Sequence, residues 1–140
     1  MDHLPHITRN PETEEDWFKA LIDLARYLRS PDGCPWDRKQ TARSFANFAR
    51  EEAQELVEAI DEDDNPHVAE EFGDTLFTLL ASAAAAEAEG RFRLDDALRG
   101  AHEKMIRRHD HVFGGDKAAT EEEAWASWHR IKAEEKKGKS

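Results

Sequence analysis

Two pairs of acids stand out in this chain: Glu52 with Glu55, and Glu71 with Asp74. Each pair is spaced i, i+3, which places both members on one face of a helix. Two such helices packed side by side would gather four carboxylates. That much negative charge in one place calls for a hard cation. Mg²⁺ and Ca²⁺ take oxygen ligands of this type, and a carboxylate-held Mg²⁺ usually serves a phosphate-bearing substrate. The chemistry suggested is metal-dependent work on phosphates.

Acids on helices ordinarily face water, and Glu52 departs from that pattern. At about 100° per residue, Phe45, Phe48, Ala49, Leu56, Ala59 and Ile60 centre on one direction, and Glu52 lies within roughly 30° of it. A carboxylate on an apolar stripe costs several kcal/mol unless paired or bound to metal. No basic residue one turn away supplies a partner; Arg50 points elsewhere. Glu55 lies at the edge of the stripe, with Glu51 and Glu58 further round. Glu71 and Asp74 are less decisive, lying off the side that carries Val68, Phe72, Leu76 and Leu79. They immediately precede an uncharged run, Thr75 to Ala86.

The elements that must position these residues read as helices throughout, with no alternating strand pattern. The first runs from about Glu14 to Arg29, with Trp17, Leu21, Leu24, Ala25 and Leu28 on its packed stripe. Ser30 to Pro35 breaks it. Asp37 and Gln40 read as a capping box opening a second helix, which ends in the acidic turn Asp61 to Asp64. Asn65 as N-cap with Pro66 behind it opens a third helix, expected to be central, and Gly90 stops it. A fourth spans about Asp95 to His109. Thr120 with Glu123 forms a capping box for a fifth, which carries Trp125, Trp128 and Ile131. The polar tail from Glu134 to Ser140 is expected to fray.

The whole is an all-α domain, a four-helix core plus a C-terminal helix. It occupies residues 14–135, between an N-terminal extension, 1–13, and a tail, 136–140. At 140 residues with 31 acids against 20 bases and a net charge of -11, the chain suits neither nucleic acid nor anionic membranes. Cys34 is the only cysteine, which fits a reducing compartment. The absence of a signal-peptide pattern and of a spanning apolar run adds to the expectation of a soluble, cytoplasmic protein.

The acidic pairs belong to a longer ordered set of elements. Glu51-Glu52-Ala53-Gln54-Glu55 followed by Glu71-Phe72-Gly73-Asp74 resembles the EExxE…ExxD signature of all-α nucleoside triphosphate pyrophosphohydrolases. Gly33-Cys34-Pro35-Trp36-Asp37 with Gln40-Thr41, then Arg107-Arg108-His109-Asp110-His111-Val112-Phe113-Gly114, and Trp128-His129-Arg130-Ile131-Lys132 are similar to elements of the MazG family. The resemblance covers most of the chain. It implies hydrolysis of a nucleoside triphosphate to the monophosphate and pyrophosphate, in the service of cleansing the nucleotide pool. It also implies Mg²⁺, or alternatively Mn²⁺, held by Glu52, Glu55, Glu71 and Asp74. Glu51 would position or deprotonate the attacking water, or stand behind the ligands. Lys104, Arg108 and Lys132 would meet the triphosphate, and Trp128 would stack on the base or pack its helix.

The family further implies a homodimer that completes the bundle, with higher assembly open. Asp110 stands where a proline is usual, and many members carry two such domains where this chain carries one. Trp36 reads as a core plug more readily than as a base contact, while His109 and His111 read as capping or packing residues. Two other readings remain: a relative restricted to dUTP, dCTP or phosphoribosyl-ATP, and a non-catalytic helical dimerisation module holding a structural cation.

Overall fold

The computed structural model describes residues 10–138. Among them the order is α1 (Glu14–Leu28), α2 (Pro35–Lys39), α3 (Ala42–Asp61), α4 (Asn65–Ala88), α5 (Leu94–Arg108), α6 (Asp110–Phe113) and α7 (Glu121–Lys137), with no strand. The described residues up to Leu94 form one compact unit and those from Asp95 onward a second. The all-α class is as expected, with five long helices and two short ones.

In the first unit α4 lies between α1 and α3. Its packing with α1 joins Ala25 to Leu80, Ala83 and Ala84, with Leu94 and the partly buried Phe18, Leu21, Ile22, Leu76 and Phe77 around them. The packed face of α1 is therefore one step round from Trp17, which is 58% exposed rather than part of the stripe. The seam with α3 is built from Phe45, Ala81 and Ala85. Alanines permit the two backbones to approach, and the Ser82 hydroxyl donates across the seam to the Ala42 carbonyl at 2.7 Å. Ile60, in the last turn of α3, is exposed rather than packed.

Several helix starts fall elsewhere than the sequence suggested. Asp37 and Gln40 do not open the long helix: they lie in α2 and at its C-cap, respectively. The long helix begins after Thr41, whose hydroxyl accepts from the Ser44 N–H while the Ser44 hydroxyl accepts from the Thr41 N–H. Serine performs here the reach-back task that Glu or Gln performs in the common capping box. Asp64, not Asn65, caps α4, accepting from the His67 N–H. Asp63 takes φ 54° to make the turn, so α3 and α4 form a short-turned hairpin. Gly90, with φ +74°, ends α4 as expected.

The link between α1 and α2 is held by arginines. Arg29 donates to the Asp37 and Gln40 carbonyls, and Arg38 to those of Ser30 and Pro31. Gly33 sits so close to the Leu28 and Tyr27 carbonyls that a Cβ would overlap both.

In the second unit, α6 and α7 pack together, and α7 runs through Lys137 instead of fraying from Glu134. Asp110 accepts from the Asp116 N–H and anchors the loop after α6. Asp116 in turn accepts from the Ser127 hydroxyl and pairs with Arg130. Thr120 caps α7 through the Glu123 N–H, while Glu123 reaches the Ala119 N–H, one residue short of a closed box.

Two glycines should respond oppositely to alanine. Gly33→Ala should lower unfolding stability by more than about 1 kcal/mol, because the chain must move apart. Gly100→Ala, inside α5 with open space around its Cα, should raise it by about 0.5–1 kcal/mol. Urea denaturation of both variants checks the pair.

Candidate metal and phosphate site

The α3–α4 hairpin brings Glu52, Glu55 and Glu71 together, each offering an oxygen within 4.8 Å of the other two. Glu71 is the most enclosed, at 7% exposure; Glu52 is half-buried and Glu55 exposed. One oxygen of Glu71, Oε1, lies 3.1 Å from Nε2 of His67, one turn earlier. The other, Oε2, is buried with no hydrogen-bond partner. A buried carboxylate oxygen left unpaired is costly, and among neighbouring carboxylates a hard cation satisfies it best. The donors present fit a divalent ion that prefers oxygen ligands.

Asp74 lies outside this three-acid group and is exposed, as is Glu51. The structure thus brings together three of the four acids expected to bind metal. The burial of Glu71 was the unexpected part. Phe72 and Leu79, on the side expected to pack, are 60% and 52% exposed, whereas the face carrying Glu71, Thr78, Ala81 and Ala85 turns toward α3.

Electrostatics bear the marks of this crowding. Desolvation, together with the adjoining carboxyls of Glu71 and Glu55, pushes the pKa of Glu52 up to about 7. Burial works to lower the His67 pKa, but the hydrogen bond and charge of Glu71 outweigh it, and the pKa is raised.

The expected cations and Trp128 lie in the second unit. The Arg108 guanidinium stands over the Trp128 ring, 4.9 Å from its centroid, and the Lys132 ammonium does so at 5.1 Å. Both separations suit cation–π attraction. Lys104 lies one turn before Arg108 on α5 and is half-buried. Sequence reasoning missed Glu135. Its carboxylate accepts from Nε of Arg108 at 2.9 Å and from Arg107 at 3.0 Å, and these guanidiniums, Arg108 foremost, hold its pKa down at about 2. The spacing Trp128, Lys132, Glu135 along one face of α7 was the available signal.

Trp36 is not a plug: it is 54% exposed and stacks on Phe48 with ring centroids 5.8 Å apart. His109 Nδ1 lies 2.6 Å from the Met105 carbonyl, to which it donates when it carries the proton, a packing role as expected.

The elevated Glu52 pKa sets a pH dependence for the metal-free protein. Unfolded, the group ionises near its ordinary 4.5; folded, near 7. Between those values the unfolded state holds fewer protons, so stability falls as pH rises through the interval. Thermal melts in chelator across that range should show the decline, and Glu52→Gln should flatten it. An unchanged slope in the variant would place the titration elsewhere.

Comparison with known proteins places the segment that carries the acidic hairpin in a known family. Residues 40–113 match the MazG nucleotide pyrophosphohydrolase domain. An uncharacterized protein of Bacillus subtilis, YabN, is 47% identical over 85% of this chain and 24% of its own length. The nucleoside triphosphate pyrophosphohydrolase/pyrophosphatase MazG of Thermotoga maritima is 43% identical over 85% of this chain and 45% of its own. The nucleoside triphosphate pyrophosphohydrolase of Escherichia coli K12 is 38% identical over 86% and 46%, respectively. The chain therefore spans less than half the length of these relatives. A crystal structure of a mazG-related protein from Thermotoga maritima superposes with a TM-score of 0.69 at 30% identity, covering 81% of this chain and 96% of that one. With the matching segment containing the whole acidic hairpin and reaching through α6, the chain belongs to the MazG nucleotide pyrophosphohydrolase family.

Proposed function

We propose that the chain hydrolyses nucleoside triphosphates to the monophosphate and pyrophosphate with Mg²⁺, Mn²⁺ being the alternative ion. The observation that carries this reading is the unpartnered, buried Glu71 oxygen within a three-carboxylate group of a MazG-family hairpin. Glu52, Glu55 and Glu71 would hold the ion, with Asp74 joining them from the next turn of α4. A divalent cation bound there neutralises phosphate charge and orients water. Water oxygen bonds to the α-phosphorus, the bond to the α–β bridging oxygen breaks, and pyrophosphate leaves carrying that oxygen. Glu51, beside the ligands, would position the water or take its proton.

Lys104, Arg108 and Lys132 would supply positive charge to the triphosphate in a chain whose net charge is -11. Glu135 engages the Nε edge of Arg108, a contact that orients the planar guanidinium fork suited to phosphate. Trp128, already faced by two cations, offers a surface for the base. Phe72 and Leu79 are seven residues apart on one outward face of α4, and their exposure supports a homodimer in which a second chain covers them. Cleansing of the nucleotide pool in the cytoplasm is the role this activity would serve. No described helix is long and apolar enough to cross a membrane.

Product analysis on a panel of ribo-, deoxyribo- and modified triphosphates, with Mg²⁺ and with chelator, tests the reaction. Monophosphate plus pyrophosphate, dependent on metal, is the expected result; diphosphate plus phosphate would refute the bond assignment. Loss of a ligand removes several kcal/mol of charge stabilisation. Glu52→Gln and Asp74→Asn should therefore each lower kcat/KM by about 100-fold or more. Full activity in Asp74→Asn alone would confine the metal set to the three clustered acids.

A further inference from the structure

We propose that His67 is a positioning residue for the metal site, holding one oxygen of Glu71 so that the other is left for the metal. This rests on the metal reading given above and adds a residue to it. His67 lies in the first turn of α4, and its N–H donates to the capping carboxylate of Asp64 at 3.3 Å. Its imidazole meets Oε1 of Glu71 at 3.1 Å. A carboxylate oxygen accepts, so this contact is a hydrogen bond in the His67 form that carries its proton on Nε2. Glu71 is thus held on one oxygen, while Oε2 stays buried and unpaired.

This division of labour is what a ligating carboxylate requires. A Glu side chain has three rotatable bonds, and one oxygen tied to a neighbouring donor removes most of the freedom of the other. Partners of this kind tune metal affinity although they never touch the ion, and their loss commonly costs about 10–100-fold in binding. An ordinary i, i+4 pair on a helix surface contributes only about 0.2–0.5 kcal/mol to helix stability and has no bearing on a metal. The enclosure of Glu71 separates the two cases: its side chain is 10% exposed and that of His67 39%. The donor sits on the open side and the acceptor on the closed one. The pair that orients Glu71 among the described residues is with this imidazole.

The test is Mn²⁺ titration by calorimetry and electron paramagnetic resonance on the whole chain and on His67→Ala, His67→Gln and Glu71→Gln. Circular dichroism verifies that each variant is helical. His67→Ala should bind Mn²⁺ about 10–100-fold more weakly. His67→Gln keeps a side-chain N–H at comparable reach and should fall closer to the unaltered protein. Glu71→Gln should lose the site. Unchanged affinity in His67→Ala, with Glu71→Gln impaired, overturns the positioning role and leaves the metal site standing. Equal weakness in His67→Gln and His67→Ala likewise overturns a role through hydrogen bonding. Unchanged affinity in Glu71→Gln overturns the metal reading, and the inference with it.

Discussion

Like charge held at short range is the constraint on which the rest of the first unit depends. Two unit charges within 4.8 Å of each other repel by about 3.5 kcal/mol or more at an effective dielectric near 20. A domain's total stability is only about 5–15 kcal/mol, so full ionisation of Glu52, Glu55 and Glu71 would take a sizeable part of it. The protein meets this in two ways. Without metal, the Glu52 carboxyl retains its proton to about pH 7. A divalent ion, if bound there as proposed, would take the same oxygens as ligands and turn the repulsion into attraction. Such a hairpin is therefore poised for a cation by its own electrostatics.

The hairpin resists splaying because it is held on both sides of the acids. At one end the chain turns through Asp63 and the Asp64 cap, so α3 and α4 cannot slide independently. At the other, Phe45 packs on Ala81 and Ala85, and Ser82 ties the seam to Ala42. From Glu71 to Ala85 is about 21 Å of helix. The carboxylates occupy the span between turn and alanine seam, where neither end can yield without breaking regular packing.

Much of this was legible in the residues, and the misses have a common cause. Glu52 disclosed itself by interrupting an apolar stripe. Glu71 did not, because α4 is apolar on nearly every side and size suggested that Phe72 and Leu79 faced inward. The tight α3 seam instead selects small residues, and large ones are turned out. Similar substitutions of one solution for another explain the caps: a Thr–Ser box at Thr41 replaced the expected Asp–Gln box, and Asp64 outcompeted Asn65 by one position. The proximity of Glu55 followed from i, i+3 spacing alone. Asp74 had the same spacing from Glu71, yet it is exposed and outside the cluster.

In the second unit the sign is reversed: there, positive charge is concentrated. Arg108 and Lys132 both lie over Trp128, whose ring attracts each of them. Glu135 then offsets Arg107 and Arg108 from one edge, lowering their mutual repulsion while fixing the direction of the Arg108 fork. It was invisible while the tail was read as frayed, since an acid in a polar run carries no pattern of its own. Only the continuation of α7 gives it a defined position, one turn past Lys132. The two units thus share a device with opposite signs: a cluster of like charge with one member held by a neighbour of the other sign. His67 on Glu71 and Glu135 on Arg108 are the two instances.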